Sequence, residues 1–161
     1  MSADQARPER SVATDDIEQL VSVSARINRT SAVLLSSLDV PLTFRQYRTL
    51  TRVMSGFSTL RQLAIRGNLS IPSVSENIDG LVKRGLMETR PSREDRRAIT
   101  LHITPAGEAA VAAGERVLHD FIESLIAGFT PKQRGDLSEL LAGIYDAATD
   151  YFSKHLADRA N

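Results

Sequence analysis

The chain has 161 residues, about one domain's length, and its 42% hydrophobic and 25% charged residues exclude a fibrous or disordered polymer. No run approaches the ~20 apolar residues of a membrane helix. The absence of cysteine excludes disulfide, zinc–thiolate and thiol-redox chemistry, and the polar start MSADQARPERSVATDD lacks the apolar centre of a secretory signal, so a cytoplasmic address is expected. Formal charge cancels over the whole chain, yet residues 43–102 carry eleven Lys and Arg against five acids, a net of +6, while residues 1–42 and 103–161 carry −2 and −4.

Residues 1–13 contain Pro8 and scattered charge without periodicity, and read as a loose tail. Thr14 as N-cap, with Asp15 and Asp16 in the first turn, opens a helix. Its apolar Ile17, Leu20, Val21, Ile27, Leu34, Leu35 and Leu38 recur at mostly three- and four-residue steps, and Asp39-Val40-Pro41 breaks it after about Leu38.

Three short helices are predicted next. Thr43 and Gln46 have capping-box spacing, in which the hydroxyl caps the third helical amide and the glutamine reaches back. Phe44, Tyr47, Leu50 and Val53 form the apolar stripe of that helix, which ends at Gly56. Thr59 and Gln62 repeat the box, with Leu60, Leu63 and Ala64 inward and Gly67 as the stop. Ser70 caps a third helix that tolerates Pro72 in its first turn. Its Ile71, Val74, Ile78 and Leu81 lie on one side; Ser73, Glu76, Gly80 and Lys83 are expected opposite, with Ser75 and Asn77 on the flanks.

The period then changes to two. Residues 86–90 and 99–103 read as strands joined by the polar tip Pro91-Ser92-Arg93-Glu94-Asp95-Arg96-Arg97. Thr104-Pro105 opens an alanine-rich helix that gains Val117, Leu118, Phe121, Ile122, Leu125 and Ile126 and closes at Gly128. Thr130-Pro131-Lys132-Gln133 starts the last helix, whose apolar face carries Leu137, Leu140, Leu141, Ile144, Ala148 and Phe152.

The expected fold is mainly α with a small β-hairpin wing. A winged helix-turn-helix over residues 39–104 is flanked by a helical dimerisation region, residues 14–38 and 105–155. Two short helices followed by a basic hairpin fit double-stranded DNA: a helix fills the major groove and a wing places arginines near the negative minor groove. Residues 71–84 are then the recognition helix, and Thr59 begins the helix that supports it. The terminal helices independently present more apolar surface than one small winged unit covers, which favours a homodimer.

The run Leu69-Ser70-Ile71-Pro72-Ser73-Val74-Ser75 through Leu81-Val82-Lys83-Arg84-Gly85-Leu86 resembles the recognition segment of MarR-family transcription regulators. So do Asp95-Arg96-Arg97-Ala98, the following Leu101-His102-Ile103-Thr104-Pro105-Ala106-Gly107, and Leu63-Ala64. Helix order extends the resemblance over residues 14–155, while the specific motifs span about 59–107. It implies a homodimer on a palindromic operator, commonly a repressor relieved by a small, often aromatic or phenolic anion. It also implies that Asp95 orients the wing tip, that Arg97 enters the minor groove, and that Ser73 and Ser75 are small hydroxyl positions on the reading helix. Arg93 and Arg96 are expected on phosphates or water, and Thr59, Asn77 and Lys83 complete the DNA-facing set. Glu76 departs from the arginine frequent there; a carboxylate is repelled by phosphate unless it accepts from a cytosine amino group or pairs with a cation.

Other classes fit less well. His102, His119 and His155 lie far apart without triad or ligand spacing, and there is no phosphate-cradling glycine loop. Neither catalysis, a cofactor nor a metal is expected, and no histidine occurs in the first half of the chain. The alternative is a dimeric protein-interaction module with a degenerate winged helix. For an effector, Tyr47 offers a ring and hydroxyl, and Arg26 and Arg45 pair with a carboxylate if they face a cleft; otherwise Tyr47 is core and both arginines are solvated or on phosphate.

Overall fold

The computed structural model describes residues 14–67, 69–91 and 99–155. Six helices and one hairpin follow in the order α1 (Thr14–Ser36), α2 (Phe44–Met54), α3 (Leu60–Gly67), α4 (Ile71–Lys83), β1 (Met87–Pro91), β2 (Ile99–Ile103), α5 (Pro105–Leu125) and α6 (Pro131–His155). The mainly helical fold with a small wing is the one expected.

Local chemistry sets the starts of the helices. Gln46 N donates to Thr43 Oγ1 and Thr43 N to Gln46 Oε1, both at 3.1 Å. The Thr59–Gln62 pair closes in the same reciprocal way at 3.2 and 3.1 Å, as does Thr130–Gln133 at 3.3 and 2.9 Å. Each box satisfies amide donors that have no partner inside their own helix. Ser70 caps α4, accepting from Ser73 N at 3.4 Å.

Two helix ends differ from the periodicity. α1 stops at Ser36 rather than about Leu38, because the chain bends back so that Leu42 N reaches Leu35 O at 3.0 Å. Leu38 still packs against the core, but from the bend. α5 stops at Leu125 rather than near Gly128, and Arg134 of α6 donates to the Ile126 carbonyl at 3.0 Å.

The core is drawn from every element except α6. Leu35, Leu42, Leu50, Leu63, Leu81, Met87, Leu101 and Val111 are essentially solvent-free. The antiparallel hairpin pairs Met87 with Ile103 and Pro91 with Ile99. Its second strand is tied to the connection between α2 and α3 by Leu101 N, which donates to Ser58 O at 2.8 Å. At the hairpin base Thr104 caps α5 by accepting from Gly107 N at 3.1 Å and donates to Gly85 O at 2.7 Å. Gly85 turns there with φ +69°, a conformation that favours glycine. α5 enters so close to the hairpin that a Cβ on Gly107 would lie 2.0 Å from Leu86 O.

α6 buries none of its described side chains. It meets the rest of the chain through Arg134, paired with Glu123 at 2.8 Å, and through Tyr145, hydrogen-bonded by Arg66. Among the described residues no helix is long and apolar enough to cross a membrane.

Candidate nucleic-acid interface

α4 is held on two sides. Val74, Ile78 and Leu81 enter the core. A second side rests on α2: Arg45 Nη1 donates to Ser73 Oγ at 2.7 Å, and Asn77 Nδ2 donates to Thr49 Oγ1 at 2.8 Å. Gly80 faces Gln46, whose Nε2 would lie 3.9 Å from an added Cβ. Arg84, capping the helix, donates to Gln46 Oε1 at 3.0 Å and Pro41 O at 2.6 Å.

This packing revises the orientation expected from one apolar stripe. Ser73 and Gly80 do not point opposite the core but toward α2, because α4 docks on two neighbours rather than one. The third side is open. Glu76, Asp79 and Lys83 are exposed along it, and Ser75 is half-buried at its edge. Asp79 stands three residues after Glu76, one turn along the same face; that spacing is the signal by which it is found. Thus Ser75, Glu76 and Lys83 share the outward side, whereas Ser73 and Asn77 are engaged with α2.

Thr59 is half-buried at the start of α3, its hydroxyl donating to Gln62 Oε1 at 3.1 Å as part of the cap. On the hairpin, Arg90 pairs with Glu88, and Thr100 Oγ1 donates to Arg90 O at 3.2 Å. The wing-tip residues Arg93, Asp95, Arg96 and Arg97 lie outside the described residues.

The three residues considered for an effector have different surroundings. Arg26 is exposed on α1, and Arg45 is bonded to Ser73. Tyr47 is half-buried, its ring 3.0 Å from where a Cβ on Gly114 would sit. Burial raises its phenol above the usual range, Glu115 adds to the rise and Arg48 opposes it. A cleft of about 350 Å³ between the end of α2, the hairpin and the start of α5 is lined by Val53, Arg90, Leu101, His102 and Glu108, among others, and by none of the three.

Residues 40–98 match the sequence profile of the MarR family. The matched segment spans α2, α3, α4 and β1. Among curated proteins no sequence matches. Among solved structures, FabT from Streptococcus pneumoniae, in complex with DNA, aligns with a TM-score of 0.74 at 20% identity, over 83% of this chain and 95% of its own. A mutant MarR from E. coli complexed with operator DNA gives 0.68 at 21% identity, over 81% and 94%. The transcriptional regulator BldR from Sulfolobus solfataricus gives 0.70 at 20% identity, over 88% and 99%. These likenesses extend the MarR-like fold beyond the matched segment to the flanking helices.

Proposed function

We propose that the chain is a sequence-specific, double-stranded-DNA-binding transcription regulator that acts as a homodimer on a palindromic operator. The observation that carries the reading is α4: two sides are fixed by α2 and the core, and the third stands open beside a hairpin. A helix so mounted is rigid enough to enter a major groove and present side chains to base edges. The excess of positive charge over residues 43–102 supports an anionic polymer as partner. FabT and MarR, which share the fold, are both seen with DNA.

The dimer is supported by uncovered apolar rows on the terminal helices. Val21 of α1 is 62% exposed and Leu140 of α6 is 65% exposed, with Ile17, Leu20, Leu141 and Ile144 beside them. Surface of that kind on a regulator marks an interface between copies. MarR-family chains are transcription regulators rather than enzymes. Within that class the reading is a cytoplasmic repressor released by a small organic anion.

One observation favours the second reading, a dimeric protein-interaction module with a degenerate winged helix. The open side of α4 carries two carboxylates, Glu76 and Asp79, which phosphates repel. Gel shifts with fragments of the source genome separate the two. Discrete fragments retarded in the presence of excess competitor DNA support the regulator; no retained fragment at low salt supports the module.

A further inference from the structure

The open side of α4 carries two carboxylates, Glu76 and Asp79, and both are exposed. Among the described residues neither forms an ion pair. Side chains three or four apart are neighbours on a helix, with Cβ atoms about 5–6 Å from each other. By that spacing Asp79 has a cation on its own helix, the exposed Lys83 four residues on. Glu76 has none: its neighbours at those steps are Pro72, Ser73, Asp79 and Gly80. A cation for Glu76 has to come from another element.

The element beside it is α2, which contains Arg45, Arg48 and Arg52 and no acid. Arg45 is exposed, and its Nη1 donates to Ser73 Oγ at 2.7 Å. Ser73 stands one turn before Glu76, so the bond holds a guanidinium at the edge between the α2 side of α4 and its open side. A guanidinium has five N–H donors in a planar fork, and the bond to Ser73 uses one of them. The others are free to serve a carboxylate and a phosphate at once, since both accept from such a fork. We propose that Arg45 contacts DNA from outside both α4 and the hairpin, bonding a backbone phosphate at the edge of the groove that α4 enters and neutralising Glu76 from the same position. The pair explains how a helix with an acidic open side approaches a polyanion: Arg45 offsets the repulsion between Glu76 and the phosphates. The proposal rests on the DNA-binding reading and adds to it a contact that neither α4 nor the hairpin supplies.

The test is a double-mutant cycle on Arg45 and Glu76. It is read by fluorescence anisotropy with a labelled mixed-sequence duplex of about thirty base pairs, between about 50 and 200 mM salt. Phosphate contacts are independent of sequence, so no operator is needed. Arg45→Gln should bind about threefold to tenfold more weakly at the lower salt, and its log–log salt slope should be shallower by about one. Arg45→Lys keeps the charge and should keep the slope. In the Glu76→Gln background, Arg45→Gln should cost about threefold less than in wild type, because no carboxylate is left to neutralise. Ser73→Ala removes the acceptor that holds Arg45 and should weaken binding about twofold, which covers the case in which Arg45→Gln does not fold. An unchanged slope in Arg45→Gln overturns the phosphate contact, as does a slope lowered equally in Arg45→Lys. An equal cost of Arg45→Gln in both backgrounds overturns the pairing with Glu76. Wild-type affinity in both Arg45→Gln and Ser73→Ala overturns the whole proposal while the DNA-binding reading stands. Failure of wild type to bind the duplex at the lower salt overturns that reading and the proposal together.

Discussion

Asn77 of α4 and Thr49 of α2 are joined by a hydrogen bond of 2.8 Å in which the amide Nδ2 donates to a hydroxyl that is almost wholly buried. The bond fixes the rotation of α4 about its axis and therefore decides which residues it shows to solvent. Asn77→Ala leaves the Thr49 hydroxyl without this donor. The loss should be about 1–3 kcal/mol of stability, read from the urea midpoint. Base preference in the folded protein should be retained. An unchanged midpoint with relaxed base preference would instead make Asn77 a base contact.

A second prediction concerns the junction of hairpin and α5. A Cβ on Gly107 would lie 2.0 Å from Leu86 O and 2.7 Å from Ile103 Cγ1. Backbone cannot yield there as a flexible side-chain tip does, so Gly107→Ala should cost about 1–3 kcal/mol or more. Thermal melting checks it, and a wild-type midpoint would show that the close approach does not exist.

The open face of α4 yields the third. Glu76→Gln removes a charge that phosphate repels and keeps the length of the side chain. It should tighten binding to operator and scrambled DNA alike, most visibly at low salt. Loss of discrimination at a single base pair, by ~1–3 kcal/mol, would show that Glu76 reads a cytosine amino group. No change on either DNA would remove α4 from the interface. Asp79→Asn should act in the same direction.

Tyr47 gives a pH dependence. Its folded phenol titrates above the ordinary 10.0, chiefly because of burial. At alkaline pH the unfolded chain therefore loses a proton that the folded chain keeps. The stability from this group is complete below 10.0 and falls as pH rises from there toward the folded value. Tyr47→Phe should flatten the decline in melting temperature above about pH 10. An equally steep decline in the variant would assign the effect elsewhere.

The parts of this fold written in short-range chemistry are legible in the chain. Thr43–Gln46, Thr59–Gln62 and Thr130–Gln133 mark their helix starts because both partners of each box lie within four residues. The change of period after Gly85 marks the hairpin for the same reason. Leu38 misleads because it reaches the core from a bend, so apolar spacing continues after the helix has stopped. The setting of α4 is hidden because a helical wheel assumes one buried side, whereas Arg45, Gln46 and Thr49 of α2 create a second, polar one. The Arg66–Tyr145 contact joins α3 to α6 across 79 residues, and no spacing along the chain announces it.

The most direct measurement of the central claim is sequencing of the DNA retained by the full chain from fragmented source genome at physiological salt, followed by footprinting. A dimeric regulator of the proposed kind should retain few fragments sharing a two-fold symmetric site, its half-sites about one helical turn or a multiple apart. Arg97→Ala should weaken binding to that site about threefold to a hundredfold while leaving the fold intact. Retention of all fragments in proportion to their length, or of none, would contradict it.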